Sequence, residues 1–349
     1  MHCLPVKWEK KNFKLFPRFM QNNQTNIQWG IIGCGNVTEV KSGPAFHKVS
    51  NSSLVAVMRR DTALAEDYAK RHAVPKWYSN AHDLINDPEI NAIYIATPPK
   101  QHEEYAIAAM QAGKPVYVEK PMALDMAACR RMEQVSKETG VKLVVAHYRR
   151  ALPLFISVKE LLDQKAIGNI RFARISLLQP DQSAMIAKTG TNWRVDPALA
   201  GAGLFYDLAP HQLDLLVHFL GKPTKTMGLA VNQAGLYTAE DLVVGVAQLP
   251  NQVLFNGTWC FTTPAGKEED IFEIQGENGT IRFSVFGHEL TIERNGTTAT
   301  EQFQPPQHIQ QPMIEKIVQY FLGNAENPCS AADAIQSMEM MEQFAYGSK

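Results

Sequence analysis

Ile27-Gln-Trp-Gly-Ile-Ile-Gly-Cys-Gly-Asn-Val-Thr38 is the stretch that decides the fold. The mainly apolar run Ile27–Ile32 reads as a strand that passes directly into a glycine turn, Gly33-Cys34-Gly35, with a helix-like segment over 37–49 beyond it. Gly33-x-Gly35-x-x-Thr38 between a strand and a helix is the setting a dinucleotide fingerprint requires. Gly33 makes the tight turn. Gly35 lets the first backbone amides of the helix, at Asn36 and Val37, approach a pyrophosphate. Thr38 stands where a third glycine would bring helix and sheet together, so the motif needs support from the rest of the chain.

That support comes from the strands that follow. Leu54–Met58 is a second strand, and Asp61 is placed to cap a helix over Thr62–His72. Ala92–Ala96 is a third, followed by a helix Glu103–Ala112 that ends at Gly113. Val116–Val118, a helix from Asp125 to Thr139 closed by Gly140, and the strand Lys142–Ala146 complete the series. Strands alternating with helices at this spacing predict a doubly wound parallel sheet over residues 27–147. After a helix at Phe155–Gln164 the alternation stops. Ile170–Leu178, Leu242–Leu249, Val253–Phe261, Ile271–Gln275, Thr280–Val285 and Leu290–Arg294 read as strands, several joined by short turns such as Asn295-Gly296. Two helices, Ile309–Leu322 and Ala331–Ala345, finish the chain. Residues 148–349 are therefore expected to form an α+β unit with an open, mainly antiparallel sheet.

In parallel sheets ligands sit beyond the carboxyl ends of the strands, and those ends carry the chemistry here. The second strand ends in Arg59-Arg60. An acidic residue there would accept from a ribose 2′-hydroxyl, whereas arginines would clamp a 2′-phosphate, which favours NADP(H) with NAD as the alternative. The third strand ends in Thr97-Pro98-Pro99, a stiff loop leading to His102, which is placed either to face the cofactor or to serve structure. The fourth ends in Glu119-Lys120-Pro121; proline keeps Lys120 out of the helical region, at the strand's end, where a lysine can handle a proton beside a hydride. A separate segment, Gly201 to Asp214, sets Asp207, His211 and Asp214 at i, i+4 and i+7, one face if helical. Pro210 requires that helix to begin close to Asp207. A histidine between two carboxylates would have its tautomer fixed for proton exchange near neutral pH. With no thiolate cluster and no third ligand, the set is read without a metal.

Composition bounds the function. At 349 residues with a formal net charge of −1, the chain has room for two units and no electrostatic footprint for nucleic acid or a membrane surface. The five cysteines are scattered, without metal-ligand spacing, which fits a reducing cytoplasm. Residues 1–26 mix lysines, aromatics and a polar run and read as a disordered tail.

Together, Gly33-Cys-Gly35, Ala96-Thr-Pro98 with His102, Glu119-Lys-Pro121, Trp193-Arg194 and the glycine-led Asp207-x-x-x-His211 resemble the glucose–fructose oxidoreductase/inositol dehydrogenase (Gfo/Idh/MocA) family from about Ile27 to Ala345. The resemblance implies a Rossmann unit joined to an open antiparallel sheet with the active site between them. It implies Lys120, Asp207 and His211 as the catalytic group and Glu119 as support for the cofactor region. Gly201-Ala202 departs from the usual Gly-Gly, and Pro99 stands where asparagine is common. Within the family the pattern is similar to NADP-linked sugar reductases such as 1,5-anhydrofructose reductase and to dihydrodiol dehydrogenases. Trp193, Arg194 and Tyr148 are read as substrate contacts; Arg149 and Arg150 stand as further contacts or ordinary surface charges. The expected activity is hydride transfer to or from a sugar, polyol or related carbonyl compound, in a homodimer or homotetramer formed through the C-terminal sheet. Two rival readings are a glycosidase using a captive nicotinamide and a non-catalytic dinucleotide sensor.

Overall fold

The structure, a computed structural model, describes residues 25–181, 183, 185 and 193–347. The tail expected over 1–26 lies outside these residues except for Thr25 and Asn26. Both are tied down, the Thr25 carbonyl accepting from Asn51 Nδ2 at 2.7 Å and Asn26 Nδ2 donating to Ser53 Oγ at 3.3 Å.

The first layer follows the alternation read above. Its elements are β1 (Ile27–Ile32), α1 (Asn36–Val40), α2 (Ala45–Lys48), β2 (Ser52–Met58), α3 (Thr62–Arg71), β3 (Lys76–Tyr78), α4 (Ala81–Asn86), β4 (Ala92–Ile95), α5 (His102–Gln111), β5 (Val116–Val118), α6 (Met126–Thr139) and β6 (Leu143–Val145). Asp61 and Asp125 cap α3 and α6 by accepting from Leu64 N and Ala128 N. The six strands pair in parallel in the order β3-β2-β1-β4-β5-β6, so the strand order reverses between β1 and β4. A crevice opens at such a reversal, beyond the strands' carboxyl ends. The segment expected as one helix over 37–49 is two, broken at Gly43-Pro44. A Cβ at Gly43 would lie 2.2 Å from both the Thr38 carbonyl oxygen and the Tyr68 hydroxyl, so only glycine passes there.

After α7 (Pro153–Asp163), β7 (Ile170–Leu178), α8 (Pro197–Ala200) and α9 (Gly203–Leu220) come β8 (Lys225–Val231), β9 (Leu242–Gln248), β10 (Leu254–Cys260), β11 (Glu269–Gly276), β12 (Gly279–Phe283), β13 (Glu289–Arg294) and β14 (Thr297–Gln302). They form an eight-stranded sheet, β14-β13-β12-β11-β7-β10-β9-β8, antiparallel except for β7 with β10. Its inner face packs Trp259, Phe272 and Phe283 against α9 through Phe205 and Phe219, and Phe255 against Phe344. Its outer face is polar over Arg174, Glu273 and Arg282 and apolar over Met227, Leu229, Val231, Val244, Val246 and Leu254.

The final helices, α10 (Gln311–Leu322) and α11 (Ala331–Tyr346), return to the first layer. α10 packs against β1 and α2, and α11 against α6 and β6 as well as α9 and β8. Val145 N donates to the Cys329 carbonyl at 3.1 Å, and Gln310 N to the Lys41 carbonyl at 3.1 Å.

α9 differs from the expectation in its start. It begins at Gly203, four residues before Asp207, and carries Pro210 inside. Packing offsets the lost hydrogen bond: of its 18 residues, all but Asp207, His218 and Leu220 are buried.

Candidate active site

A groove of about 920 Å³ runs across the carboxyl ends of β1, β2, β4 and β5 and reaches the start of α9. One end is the glycine turn. Gly33 has φ +94°, and a Cβ on it would lie 2.8 Å from the Thr97 amide nitrogen, so β1 and β4 can meet only over glycine. A Cβ on Gly35 would meet nothing closer than 3.9 Å, which leaves the face above it open. No side chain caps α1, so its first amides, at Asn36 and Val37, point to the groove mouth. Thr38 is fully buried, its hydroxyl donating to the Gly35 carbonyl at 2.8 Å. The third glycine of the fingerprint is thus replaced by a residue that pins the turn.

Arg59 and Arg60 line the same end, Arg59 reaching back so that Nη1 donates to the Cys34 carbonyl at 3.4 Å. Thr97, Pro98 and Pro99 form the middle wall. Gln101 and Tyr105, which sequence reasoning did not single out, continue it, as do Met58, Leu64 and Tyr206. Thr97 Oγ1 and Gln101 Oε1 are buried there without a hydrogen-bond partner among the described residues. His102 is different. It is fully buried, its ring nitrogens lie 3.0 Å from the Pro121 carbonyl and 2.8 Å from the Thr97 carbonyl, and it does not line the groove. Burial pushes its pKa down, although those carbonyls favour its charged form. Of the two roles open to it, facing the cofactor or serving structure, these contacts fit the second: it braces the Thr97 loop against the Pro121 loop, and its place among the cofactor contacts is corrected.

At the far end Lys120 Nζ donates to the Asp207 carbonyl at 2.6 Å and to its Oδ1 at 2.9 Å, while Arg194 Nε donates to Oδ2 at 2.9 Å. Burial alone would raise the Asp207 carboxyl, but the two cations outweigh it and the net shift is downward. Asp207 is the one residue between Gly203 and Val217 in α9 that is not buried, and it sits on the groove. Behind Lys120, the Glu119 carboxylate accepts from the Tyr94 hydroxyl at 2.6 Å and Gln310 Nε2 at 2.7 Å, and Gln310 Oε1 accepts from the Tyr117 hydroxyl at 2.8 Å. Nothing in the sequence pointed to Gln310, which reaches Glu119 across 191 positions.

The reading of His211 between two carboxylates is not what the structure shows. Asp207 is taken by Lys120 and Arg194, and Asp214 by Arg150 in a two-pronged pair at 2.8 and 2.9 Å. His211 lies instead between the rings of Tyr148 and Phe286, with centroids at 5.3 and 5.7 Å, and its Nδ1 has no hydrogen-bond partner among the described residues. Burial first, then the positive fields of Lys120 and Arg149, hold its pKa well below 6.5, so the ring is neutral. Arg149 is buried and the Arg150 side chain is only 8% exposed, so neither is a surface charge. Tyr148 packs beside His211, and Trp193 opens a short 3-10 turn; its side chain lies outside the described residues.

Known proteins match this architecture along its length. Residues 27–147 fit the profile described as "Oxidoreductase family, NAD-binding Rossmann fold", and 155–282 that of the "GFO/IDH/MocA C-terminal domain". Oxidoreductase P35 of Formosa agariphila is 45% identical over 323 residues, 92% of this chain and 99% of that one. The 1,5-anhydro-D-fructose reductase of Ensifer adhaerens is 25% identical over 256 residues, 73% of this chain and 74% of its own. In fold, levoglucosan dehydrogenase in complex with NADH and levoglucosan superposes with a TM-score of 0.81 at 21% identity, over 93% of this chain and 97% of that one. With both profiles in order along the chain and a relative matched nearly end to end, the chain belongs to the GFO/IDH/MocA family of oxidoreductases.

Proposed function

We propose that this oxidoreductase uses NADP(H) to reduce or oxidise a sugar, polyol or related carbonyl compound. The observation that carries the reading is one continuous groove with the glycine turn and two arginines at one end and Lys120 on Asp207 at the other. The open face over Gly35, the uncapped start of α1 and the unpartnered Thr97 and Gln101 oxygens fit a dinucleotide. When bound, its nicotinamide supplies or accepts the hydride. Gly33, Gly35, Asn36 and Val37 hold the pyrophosphate, Arg59 and Arg60 grip the 2′-phosphate, and Thr97 and Pro98 support the nicotinamide side. Glu119, fixed by Tyr94 and Gln310, steadies the backbone that carries Lys120.

Lys120 polarises the substrate oxygen as an ammonium and shares its proton. Asp207 aims Lys120. His211, neutral, accepts a proton when a hydroxyl is oxidised. Residues 27–147 serve the cofactor and 148–349 the substrate, with Tyr148, Trp193 and Arg194 on the substrate side. The activity named for the Ensifer relative, and that of a mouse trans-1,2-dihydrobenzene-1,2-diol dehydrogenase 32% identical over 235 residues, support a substrate with a carbonyl or CH–OH carbon. Two copies meet through the apolar part of the outer sheet face. The test is a screen of sugars, polyols and dicarbonyls for a change in nicotinamide absorbance. Turnover with NADPH or NADP supports the reading; sugar release with no net absorbance change, or binding without turnover, overturns it in favour of a hydrolase or a sensor.

A further inference from the structure

We infer that the substrate carries a carboxylate, gripped by Arg149. The inference rests on the oxidoreductase reading and narrows its substrate class. Arg149 is 9% exposed, with its guanidinium 4.5 Å from the Phe286 ring centroid and 5.5 Å from that of Tyr148. These are the two rings that flank His211, so cation and histidine share one aromatic corner.

Arg150, the next residue, shows how a buried arginine is ordinarily satisfied, by both oxygens of Asp214. Arg149 has no such partner among the described residues. Its Nη1 donates to the Val285 carbonyl, and among the described residues nothing receives the hydrogen of its buried Nε. Asp270 lies within its field, but the Asp270 oxygens are engaged by Ser284, the Phe286 amide and Gln212.

A buried, charged donor left unmade is costly, and such a group persists where something else satisfies it. The donors left over are Nε and Nη2, the edge on which a planar carboxylate makes two parallel hydrogen bonds. Lys120 and Arg194 are already on Asp207, so a single guanidinium answers the substrate's charge, which suits a monoanion better than a phosphate ester. The substrate class is a sugar acid, its reacting carbon at Lys120 and its carboxylate at Arg149.

The probes are D-glucuronate, its uncharged amide, glucose and glucose 6-phosphate. Binding of each to the protein–NADPH complex is read by quenching of nicotinamide fluorescence, and turnover is read separately by absorbance. The acid should bind at least about tenfold more tightly than the amide, and the ratio should shrink toward one in Arg149→Met and remain partly in Arg149→Lys. Should Arg149→Met fail to fold, the wild-type comparison of acid with amide still decides. Equal binding of acid and amide, or tighter binding of the 6-phosphate, overturns the proposal. Preference for the acid without turnover of any compound would leave the carboxylate site standing and overturn the oxidoreductase reading instead.

Discussion

The Lys120 ammonium is held by two oxygens of a single residue, the carbonyl and Oδ1 of Asp207. Lys120→Met should keep NADPH affinity and lower kcat by about 10²–10⁴-fold, the usual contribution of a general acid–base group. Asp207→Asn removes what aims that lysine, so the double variant should cost much less than the product of the single losses. Full activity in Lys120→Met would remove it from the chemistry. Arg59→Ala should weaken NADPH by about ten- to a hundredfold, the worth of a charged hydrogen bond, and barely touch NADH. An NADPH-to-NADH ratio of kcat/KM indifferent to Arg59 would turn that side chain away from the cofactor. Lys120 and Asp207 were legible because proline and helical spacing are local facts. Arg149 and Arg150 were not, because their burial depends on Val285 and Asp214, 136 and 64 positions away. The isolation of His211 was hidden for the same reason: the partners of both neighbouring carboxylates come from elsewhere in the chain.

Among the elements, those with a buried face and a clear stop signal were legible, and the sheet edges were not. β8 carries its apolar Met227, Leu229 and Val231 on the outer face, 67%, 79% and 44% exposed, with glycine inside, the reverse of an ordinary half-buried strand. β14 is exposed at every position, so no burial pattern marks it. The inward glycines have a packing reason: Gly228, Gly245 and Gly257 stand opposite one another across β8, β9 and β10. α11 lies on the first two of them, and a Cβ at Gly245 would come within 2.5 Å of the Phe344 ring. Gly245→Ala should therefore destabilise the protein by about 1–3 kcal/mol, as overpacked cores do. A denaturant midpoint unchanged by the substitution would show that α11 shifts freely over the sheet.

At the scale of the whole molecule, the sequence pattern placed the two sheets and their order, while the return of α10 and α11 to the first layer carried no local signal. The neutral, buried His211 has a pKa well below the 6.5 of a free imidazole, so unfolding takes up a proton in the interval between them. Its contribution is complete above about pH 6.5 and is lost as the pH falls toward the folded pKa. The fall in Tm from pH 7 to 5.5 should be shallower in His211→Gln than in wild type; parallel curves would mean that the ring is charged when folded. Leu229→Glu, on the apolar outer face, should yield monomers in sedimentation if two copies meet there, and an unchanged mass would move the interface elsewhere. The Tyr94–Glu119–Gln310–Tyr117 network has a consequence in time as well as in space. While the chain is being synthesised, the first sheet leaves the ribosome with the Glu119 carboxylate lacking one of its donors and the Val145 amide lacking its acceptor, and both arrive only with Gln310 and Cys329. The dinucleotide groove is begun first and finished last, so a nascent chain stalled before Gln310 should emerge compact yet unable to retain NADPH.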